Sequence, residues 1–470
     1  MSVGPRVAVI GGGITGLAGA YFLTREASGK RPEVILLEAG ERLGGNLRTE
    51  VIAGMPIDVG AEALFAGLPW AIELCRELGL GDELVGSLEA NTCVWTRGRL
   101  RPLPVGILSG FPDGIGPVLR SGIVSPAGVA RAALDLVLPA AHVDGDRSVG
   151  ELIRRRLGRE TLQRLVDPLL GTIYAGDSDQ LSLRATAPVL DAMSRKRASL
   201  IRSLLAAKPP TREGPMFMTL TGGLERLAAR LSEEIAEVEV RSSTRVESLT
   251  RVGEGGYRVA LASGEPLNVD GVLVAVPADG AAVMLRPLSP QAADELAGIE
   301  YASVIIVSLV FGGSALASPP SVSGFLVPHV DGRLVGACTF SSLKWPHLAD
   351  DTQLRLRCAI GRGSETAASS MDDDTLVALV SEELREALGL RGTPTAARVT
   401  RWPAAMPQYA PGHLDRVGLI EAELAKLGGV ELAGAALRGI GVAQCVNGAR
   451  GAAGRLLAEL RGGARSARRG

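Results

Sequence analysis

The residues best suited to chemistry form a glycine cluster close to the start of the chain. Gly11, Gly13 and Gly16 give the spacing GxGxxG within VAVIGGGITGLAGAYFL, between an apolar strand-like run and a helical pattern. Glycines at this spacing permit a tight turn and let backbone N–H groups meet a pyrophosphate at the positive end of a helix. Glu38, at the end of the next apolar run, is placed to bind a ribose hydroxyl pair. The cluster predicts a dinucleotide site.

The residues after Glu38 indicate which dinucleotide binds. The sequence continues AGERLGGN, in which Arg42, Gly44 and Gly45 resemble the second signature of the glutathione-reductase-like FAD enzymes. A second strand-linked GxGxxG does not occur, so a separate NAD(P)H domain is not expected. The pattern favours FAD over NAD, and an oxidase that passes electrons to O2 over a reductase.

Other polar residues do not form a catalytic constellation in the sequence. The histidines lack metal-ligand spacing and a neighbouring nucleophile, and are interpreted as surface or packing residues. They are His142, His329, His347 and His413. The acidic run Asp372 to Asp374 precedes a helical pattern and fits N-terminal helix charge better than a general acid–base pair. The sequence therefore predicts no metal and no catalytic side chain, and the flavin itself would carry the reaction.

Composition excludes several other classes of function. Fifty basic and fifty-one acidic residues leave a net charge of −1, so the chain lacks the field that holds nucleic acid or an anionic bilayer. The five cysteines are scattered singly, which is typical of reduced thiols and predicts neither disulfides nor zinc. A secretory signal pattern is absent before the first strand-like run, and a cytoplasmic protein is expected.

The elements around the glycine cluster predict a βαβ unit, the first half of a Rossmann-type sheet. Its parts are Val7 to Ile10, Ile14 to Thr24 and Val34 to Leu37. From about Asn91 the pattern changes to loops and helices, which predicts a helical insertion ending near Lys208.

Later in the chain the pattern alternates between helix and strand, and then strands predominate. The uncharged stretch Tyr301 to Val330 contains breaks and β-branched runs, so it is interpreted as buried sheet rather than a membrane span. The predicted fold class is α/β plus α+β. A discontinuous FAD domain would comprise 1–85, 215–276 and 407–470, with a helical insertion at 86–214 and a mixed-sheet substrate domain at 277–406.

Four further motifs resemble those of the porphyrinogen oxidase family, in order and over nearly the whole chain. They are GTIYAGDSDQLSL at 171–183, ACTFSSLKWPH at 337–347, RWPAAMPQYAPGH at 401–413 and GAALRGIGVAQC at 434–445. Within the family, the KWPH and FPDGIGP segments are most similar to the Gram-positive coproporphyrinogen III oxidases. The resemblance implies a monoamine oxidase-like architecture whose helical insertion can contact a membrane.

The resemblance also implies an activity and partners. These are the FAD-dependent oxidation of coproporphyrinogen III to coproporphyrin III in haem biosynthesis, with O2 as acceptor and H2O2 as product. Ferrochelatase is an implied haem-pathway partner, and the inner face of the cell membrane an implied site of peripheral contact.

By position, the family's FAD contacts map onto residues from several parts of the chain. They are Gly11, Gly12, Gly13, Ile14, Thr15, Gly16, Glu38, Ala39, Gly45, Asn46, Gly60, Ala61, Glu62, Ala63, Val246, Trp402, Ile440, Gly441 and Val442. Besides the glycine cluster and Glu38, two of these assignments also have reasons in the sequence itself. Val246 lies on a predicted strand of the returning domain, and Gly441, like Gly439 before it, would let backbone approach a flavin ring.

The chain departs from the family in places. Most relatives have GP-x-S-F where this chain has GAEALF at 60–65, and Thr92 stands where some relatives carry an arginine for a propionate. Arg97, Arg99 or Arg101 could substitute, since they alternate along one predicted strand face, but solvated hairpin residues are the favoured interpretation. Tyr174 and Asp177 belong to a family signature, but Asp177 also suits a turn.

Three alternatives stay open from the sequence. One is a protoporphyrinogen IX oxidase of the same family. Another is a flavin amine oxidase, which would need an aromatic cage and a lysine near the flavin. Aromatic residues are only 3% of the chain, and Lys344 is the one plausible lysine. The third is a flavin-free binding protein like the GDP-dissociation inhibitors, which Glu38 and the RLGG pattern oppose.

We predict that FAD is bound noncovalently, one per chain, because no cysteine or histidine lies in a recognisable flavin-linking motif. Acid precipitation of the purified protein should release the yellow colour into the supernatant. Flavin that stays with the precipitate would contradict this prediction.

We also predict that Gly13→Asp yields colourless or unstable protein, because it sets a carboxylate against the pyrophosphate where a hydrogen atom fits. The flavin absorbance of the purified variant, relative to its protein absorbance, measures the loss. A yellow and active variant would remove the basis of the assignment.

Overall fold

The computed structural model describes most of the chain: residues 4–27, 30–88, 91–104, 115–137, 145–195, 199–206, 214–253, 255–317, 321–362 and 367–466. The strands are β1 (Arg6–Ile10), β2 (Glu33–Leu37), β3 (Thr49–Ile52), β4 (Met55–Asp58), β5 (Leu64–Phe65), β6 (Leu84–Gly86), β7 (Asn91–Thr96), β8 (Arg99–Pro102), β9 (Phe217–Leu220), β10 (Glu239–Arg241), β11 (Val246–Val252), β12 (Gly256–Leu261), β13 (Leu267–Val269), β14 (Gly271–Val274), β15 (Tyr301–Gly312), β16 (Val322–Leu326), β17 (Val335–Phe340), β18 (Gln353–Ile360), β19 (Ala396–Pro407) and β20 (Val430–Leu432).

The helices alternate with these strands. They are α1 (Ile14–Arg25), α2 (Trp70–Glu77), α3 (Ile115–Ser121), α4 (Pro126–Ala133), α5 (Val149–Leu157), α6 (Arg159–Thr161), α7 (Asp167–Tyr174), α8 (Leu183–Thr186), α9 (Pro188–Ser194), α10 (Leu200–Ala206), α11 (Glu225–Glu234), α12 (Ala278–Leu285), α13 (Pro290–Ala297), α14 (Ser341–Lys344), α15 (Asp373–Leu388), α16 (His413–Ala425), α17 (Ala435–Arg438) and α18 (Val442–Ser466).

A five-stranded parallel sheet, in the order β10-β2-β1-β14-β20, carries the glycine cluster at the end of β1. Successive residues of β1 are buried on opposite faces. Val7 and Val9 pack with α1 and α18, whereas Ala8 and Ile10 pack with α12 and α13. A parallel sheet covered on both faces needs such a continuous apolar run. The predicted βαβ unit and α/β class are therefore confirmed.

A second large sheet has seven strands, in the order β19-β15-β18-β17-β16-β7-β8. One face buries Val307, Leu309 and Phe311 of β15 against α15. The stretch predicted as buried sheet thus forms β15 and β16. In the part of the chain that the structure describes, no helix has both the length and the apolar character to cross a bilayer.

Helices α4, α5 and α7 to α10 of the insertion pack around a core of their own. This core includes Val149, Ile153, Leu162 and Leu190. Inside it Arg156 pairs with Asp135, whose other oxygen accepts Ser199 Oγ at 2.7 Å and Ile201 N at 2.9 Å. The predicted end of the insertion near Lys208, and the first part of FPDGIGP, lie outside the described residues.

Two predicted boundaries differ from the structure. The insertion was predicted to start at 86, but β7 and β8 belong to the large sheet because β16 pairs with β7 in parallel. The substrate domain was predicted to start at 277, but α12 and α13 pack on the parallel sheet through Ala281 and Leu285. Both differences arise from long-range contacts that local patterns do not contain. The three-part division itself stays a prediction.

Asp58 joins the β3–β4 hairpin to the start of α11. Its carboxyl accepts Thr49 Oγ1 at 2.6 Å and Leu224 N at 3.0 Å. Burial raises the pKa of Asp58 to about 7, with a small addition from the Glu62 charge, while the two hydrogen bonds and Arg357 act in the opposite direction. The folded protein therefore holds a proton here that the unfolded chain releases near pH 4.

We predict that this proton makes the fold less stable as pH rises. Because the folded protein binds a proton that the unfolded chain releases, the free energy of unfolding falls as pH rises between the two pKa values. The contribution of this proton is fully present below about pH 4 and is lost as pH rises through about 7. Asp58→Asn keeps the acceptor oxygen without the titration, so its melting temperature should fall less than that of the parent between about pH 5 and about pH 8. Equal falls in the two proteins would show that Asp58 is already ionised.

Candidate FAD site

The glycine turn after β1 is shaped by close backbone contacts. Gly11 has φ +106°, and its N–H donates to Leu37 O at 2.8 Å. A Cβ atom on Gly16 would lie 1.8 Å from Gly11 O, and one on Gly11 would lie 2.5 Å from Ala275 O. Side chains at these two positions are excluded sterically, so α1 can start directly against the sheet.

The start of α1 is open to a ligand. Its N-cap, Gly13, contributes no side-chain hydrogen bond, and its first turn contains no acidic residue. A Cβ atom on Gly13 would meet only Gly45 Cα, at 3.9 Å. The N–H groups of residues 13 to 15 therefore suit a pyrophosphate.

Glu38 lies beside this turn at the carboxyl end of β2. Its Oε2 accepts Gly12 N at 2.6 Å and its Oε1 accepts Gly40 N at 2.7 Å. The carboxylate is half-buried at the sheet edge where parallel α/β folds bind nucleotides, and the neighbouring Ala39 is exposed. Val246 begins β11 just after Thr244 N donates to Glu38 O at 2.7 Å, which brings this predicted contact to the same edge.

The loop 42–46 lies against the glycine turn. Gly44 N donates to Gly12 O at 2.8 Å, and a Cβ on Gly45 would lie 3.1 Å from Gly13 Cα. Arg42 donates to Gly45 O at 2.6 Å and Leu47 O at 3.0 Å, so it fixes its own loop. The glycines of the turn and Gly44 and Gly45 thus face each other beside α1, which leaves exposed backbone for a bound dinucleotide.

Residues 58–63, called the hairpin exit segment, leave the β3–β4 hairpin and return to the loop 42–46. Ala61 N donates to Asn46 O at 3.1 Å, and a Cβ on Gly60 would lie 2.1 Å from that oxygen. Trp402 reaches the segment from β19, donating its Nε1 hydrogen to Val59 O at 2.7 Å. The structure therefore brings Asn46, Gly60, Ala61 and Trp402 together.

The turn between α17 and α18 holds the last predicted contacts, Ile440 to Val442. The Tyr409 hydroxyl accepts Gly439 N at 2.8 Å and donates to Ala435 O at 2.5 Å. The Tyr409 ring stacks on His413, with 3.9 Å between ring centroids, and His413 Nε2 lies 2.9 Å from Leu437 O. Sequence reasoning missed Tyr409, although it lies in the quoted RWPAAMPQYAPGH motif.

The two sides of the site meet where α1 and α18 begin. Cys445, one turn into α18, has Thr15 as a hydrogen-bonding neighbour. Ile440 to Val442 therefore lie close to the start of α1. Desolvation by burial raises the pKa of Cys445 to about 11, so the thiol is neutral.

Some predicted residues have other partners. The Glu62 carboxylate is directed at Trp345 and Lys344, so contact of Glu62 with a flavin would come from its backbone. Lys344, the lysine considered for an amine oxidase, is engaged by Glu62 and lies over the Phe217 and Trp345 rings. Its ammonium group is therefore paired with a carboxylate, whereas an amine oxidase lysine would need to face the flavin.

The arginines near Thr92 are not all on one strand. Arg97 occupies the β7–β8 turn with φ +52°, where it donates to Ile123 O at 2.9 Å and pairs with Glu160. The interpretation of Arg97 as part of the strand face is therefore wrong, because the hairpin turns there. Arg99 and Arg101 lie on β8, and Arg101 Nε is buried with no hydrogen-bond partner among the described residues.

Tyr174 and Asp177 lie at the end of α7. Burial raises the pKa of the Tyr174 hydroxyl to about 12, so the hydroxyl stays protonated near neutral pH and is not available as a base. Asp177 Oδ1 accepts Asp179 N at 2.9 Å, as in a turn, and lies 3.9 Å from Arg362. Among the described histidines, acids and cysteines, no group of three could hold a metal ion. His142 lies outside the described residues.

Comparison with known proteins agrees with this arrangement. Residues 14–457 match the family of flavin containing amine oxidoreductases. Coproporphyrinogen III oxidase of Mycobacterium tuberculosis is 37% identical, with 96% of each chain covered. Coproporphyrinogen III oxidase of Bacillus subtilis is 34% identical, over 95% of this chain and 97% of its own.

A solved structure has the same fold over the whole length. It is that of an Exiguobacterium protein provisionally designated a protoporphyrinogen oxidase, with a TM-score of 0.87 and 31% identity, covering 98% of this chain and 100% of its own. The predicted fold class, flavin cofactor and resemblance to porphyrinogen oxidases are confirmed. The chain belongs to the flavin containing amine oxidoreductase family, within which it groups with the porphyrinogen oxidases.

Proposed function

We propose that the protein oxidises coproporphyrinogen III to coproporphyrin III, with O2 as acceptor and H2O2 as product, in haem biosynthesis. The observation that carries the proposal is similarity along the full chain to coproporphyrinogen III oxidases, at 37% identity for the mycobacterial enzyme. The oxidation removes six electrons and six protons, so three O2 would be reduced to three H2O2, and bound FAD would accept two electrons in each of three rounds. The protein supplies binding, orientation and electrostatics.

The proposed FAD contacts follow the predicted residues. The N–H groups at Gly13 to Thr15 bind the pyrophosphate, and Glu38 binds ribose hydroxyls. The backbone of 60–63, Trp402 and the turn 440–442 bind the ring. Glycine-turn geometry, the Glu38 position and the Asn46–Gly60 contact support this assignment.

The proposed reaction uses no side-chain base. His413 is buried between Tyr409 and Leu437 O, and burial, the largest influence, lowers its pKa. Burial likewise lowers the pKa of His347. Lys344 is held by Glu62. These groups therefore serve packing and positioning rather than proton transfer from the substrate.

Arg101 is the proposed partner for a substrate propionate. Its Nε is buried without a partner among the described residues, which costs free energy unless an anion or another acceptor binds. Arg99, on the same strand, is exposed. A guanidinium binds carboxylates in a bidentate manner, and this contact would favour coproporphyrinogen III if it meets one of the two propionates that protoporphyrinogen IX replaces with vinyl groups.

Cellular placement is part of the same proposal. A cytoplasmic enzyme would contact the inner face of the membrane peripherally and pass its product to ferrochelatase. In the described part of the insertion, Leu119, Val137 and Leu205 have 50%, 77% and 56% of their surface exposed, and such contact would bury them.

We predict that kcat/KM is higher for coproporphyrinogen III, with four propionates, than for protoporphyrinogen IX, with two. Fluorescence of the porphyrin products, at matched detergent and salt, gives both values. Equal or better turnover of protoporphyrinogen would place the protein with the protoporphyrinogen oxidases, the function that the Exiguobacterium relative favours.

The arginine contact is tested with a matched pair of variants. Arg101→Gln should raise KM for coproporphyrinogen about tenfold, roughly 1.4 kcal/mol, with little change in kcat. Arg99→Gln, an exposed neighbour on β8, should leave both constants unchanged. Equal effects of the two variants would remove Arg101 from the proposal.

A further inference from the structure

A buried group of charges links the hairpin exit segment to the elements around the large sheet. Glu62 Oε1 accepts Trp345 Nε1 at 2.8 Å, while Oε2 lies 3.5 Å from Lys344 Nζ and 3.6 Å from Arg357 Nη1. The three charged side chains expose only 13% to 15% of their surface. Two cations thus share one carboxylate where water screens them little.

Arg357 also holds the backbone of the segment. Its Nη2 donates to Gly60 O at 2.7 Å and its Nε donates to Asp58 O at 3.3 Å. Arg357 belongs to β18, opposite Ser308 and Thr339 on the neighbouring strands. One guanidinium from the middle of the sheet therefore fixes two carbonyl groups on either side of Val59. A lysine could not reproduce this forked contact.

Lys344 is fixed on three sides. Its Nζ lies 4.7 Å from the Trp345 ring centroid and 5.3 Å from that of Phe217, within the range of cation–π attraction. Leu88 N donates to its carbonyl oxygen at 2.9 Å. Burial alone would raise the pKa of Glu62, but Lys344, Arg357 and the Trp345 hydrogen bond outweigh it and lower that pKa. Glu62 is therefore ionised beside two cations.

We propose that Lys344, Glu62 and Arg357 form a positioning cluster for the flavin, which fixes the backbone of the hairpin exit segment and sets the electrostatic potential at the ring bound against it. The proposal rests on the proposed FAD contacts at 60–63 and not on the identity of the substrate. Glu62 offsets one of the two positive charges. The net charge of the cluster then favours an electron-rich, reduced flavin.

The charge on the cluster is tested by the flavin reduction potential, measured by dye equilibration on the purified holoprotein without substrate. Glu62→Gln removes a negative charge and should raise the potential. Lys344→Met removes a positive charge and should lower it. The double variant should return toward the parent value, because its net charge is restored.

The geometry is tested by the rate of FAD release from the diluted holoprotein, followed by ultrafiltration and the flavin absorbance of the filtrate. Arg357→Lys keeps the charge but loses the forked contact, so release should accelerate about tenfold with little change in potential. Asp331→Asn is the control. Asp331 accepts Arg164 Nη1 at 2.9 Å and Thr96 Oγ1 at 2.7 Å, away from the segment, and its variant should leave both quantities unchanged.

Opposite potential shifts in the two charge variants support the proposal. Shifts in the same direction, or none in variants that retain FAD, overturn it, because a purely structural cluster would lower the melting temperature alone. If Glu62→Gln does not fold, Lys344→Met and Arg357→Lys decide the matter, since Glu62 keeps a cation and Trp345 in each. Failure of coproporphyrinogen turnover would leave these results standing and would count against the proposed substrate only.

Discussion

The close approach of bare backbone at the glycine turn is the constraint on which the rest of the site depends. A Cβ atom on Gly16 would lie 1.8 Å from Gly11 O, so the helix can begin there only without side chains. Because Gly44 N also bonds to Gly12 O, the loop 42–46 is fixed against the same turn. Together they form the part of the site shaped for a pyrophosphate, and every other predicted contact is placed relative to it.

Successive contacts extend the site from this turn into the large sheet. Asn46 O accepts Ala61 N, and Trp402 from β19 donates to Val59 O. Arg357 from β18 donates to Gly60 O. The parallel sheet thus supplies the nucleotide end of the site, while the seven-stranded sheet fixes the backbone proposed to meet the ring. Under the proposed FAD contacts, the nucleotide and the ring would be held by two different sheets, which meet at the hairpin exit segment.

Local sequence patterns predict the βαβ unit around the glycine turn well, because its determinants are close together in the chain. The glycine spacing, the apolar strand before it and Glu38 all lie within one βαβ unit. The insertion boundary was not predictable in this way, because β7 pairs with β16, a strand far along the chain. The strand position predicted for Arg97 was wrong for a local reason. Arg97 itself has a positive φ, so β7 ends at Thr96 and Arg97 lies in the turn.

Positioning residues were harder to predict than contacts. Tyr409 supports the 435–442 turn through its hydroxyl, yet an isolated tyrosine in a proline-rich motif gives no indication of its partners. The same holds for Glu62, whose neighbours Lys344 and Arg357 come from separate elements around the large sheet. Motifs identify where a cofactor binds, whereas the side chains that hold those motifs in shape emerge only from the folded chain.

The central claim is that one FAD spans from the glycine turn to the hairpin exit segment. A crystal structure of the purified yellow protein, at a resolution that shows the flavin ring, tests it most directly. We predict pyrophosphate density at Gly13 to Thr15, ribose at Glu38, and the ring between residues 60–63 and 440–442. A dinucleotide bound elsewhere, or a ring distant from residues 60–63, would contradict the account.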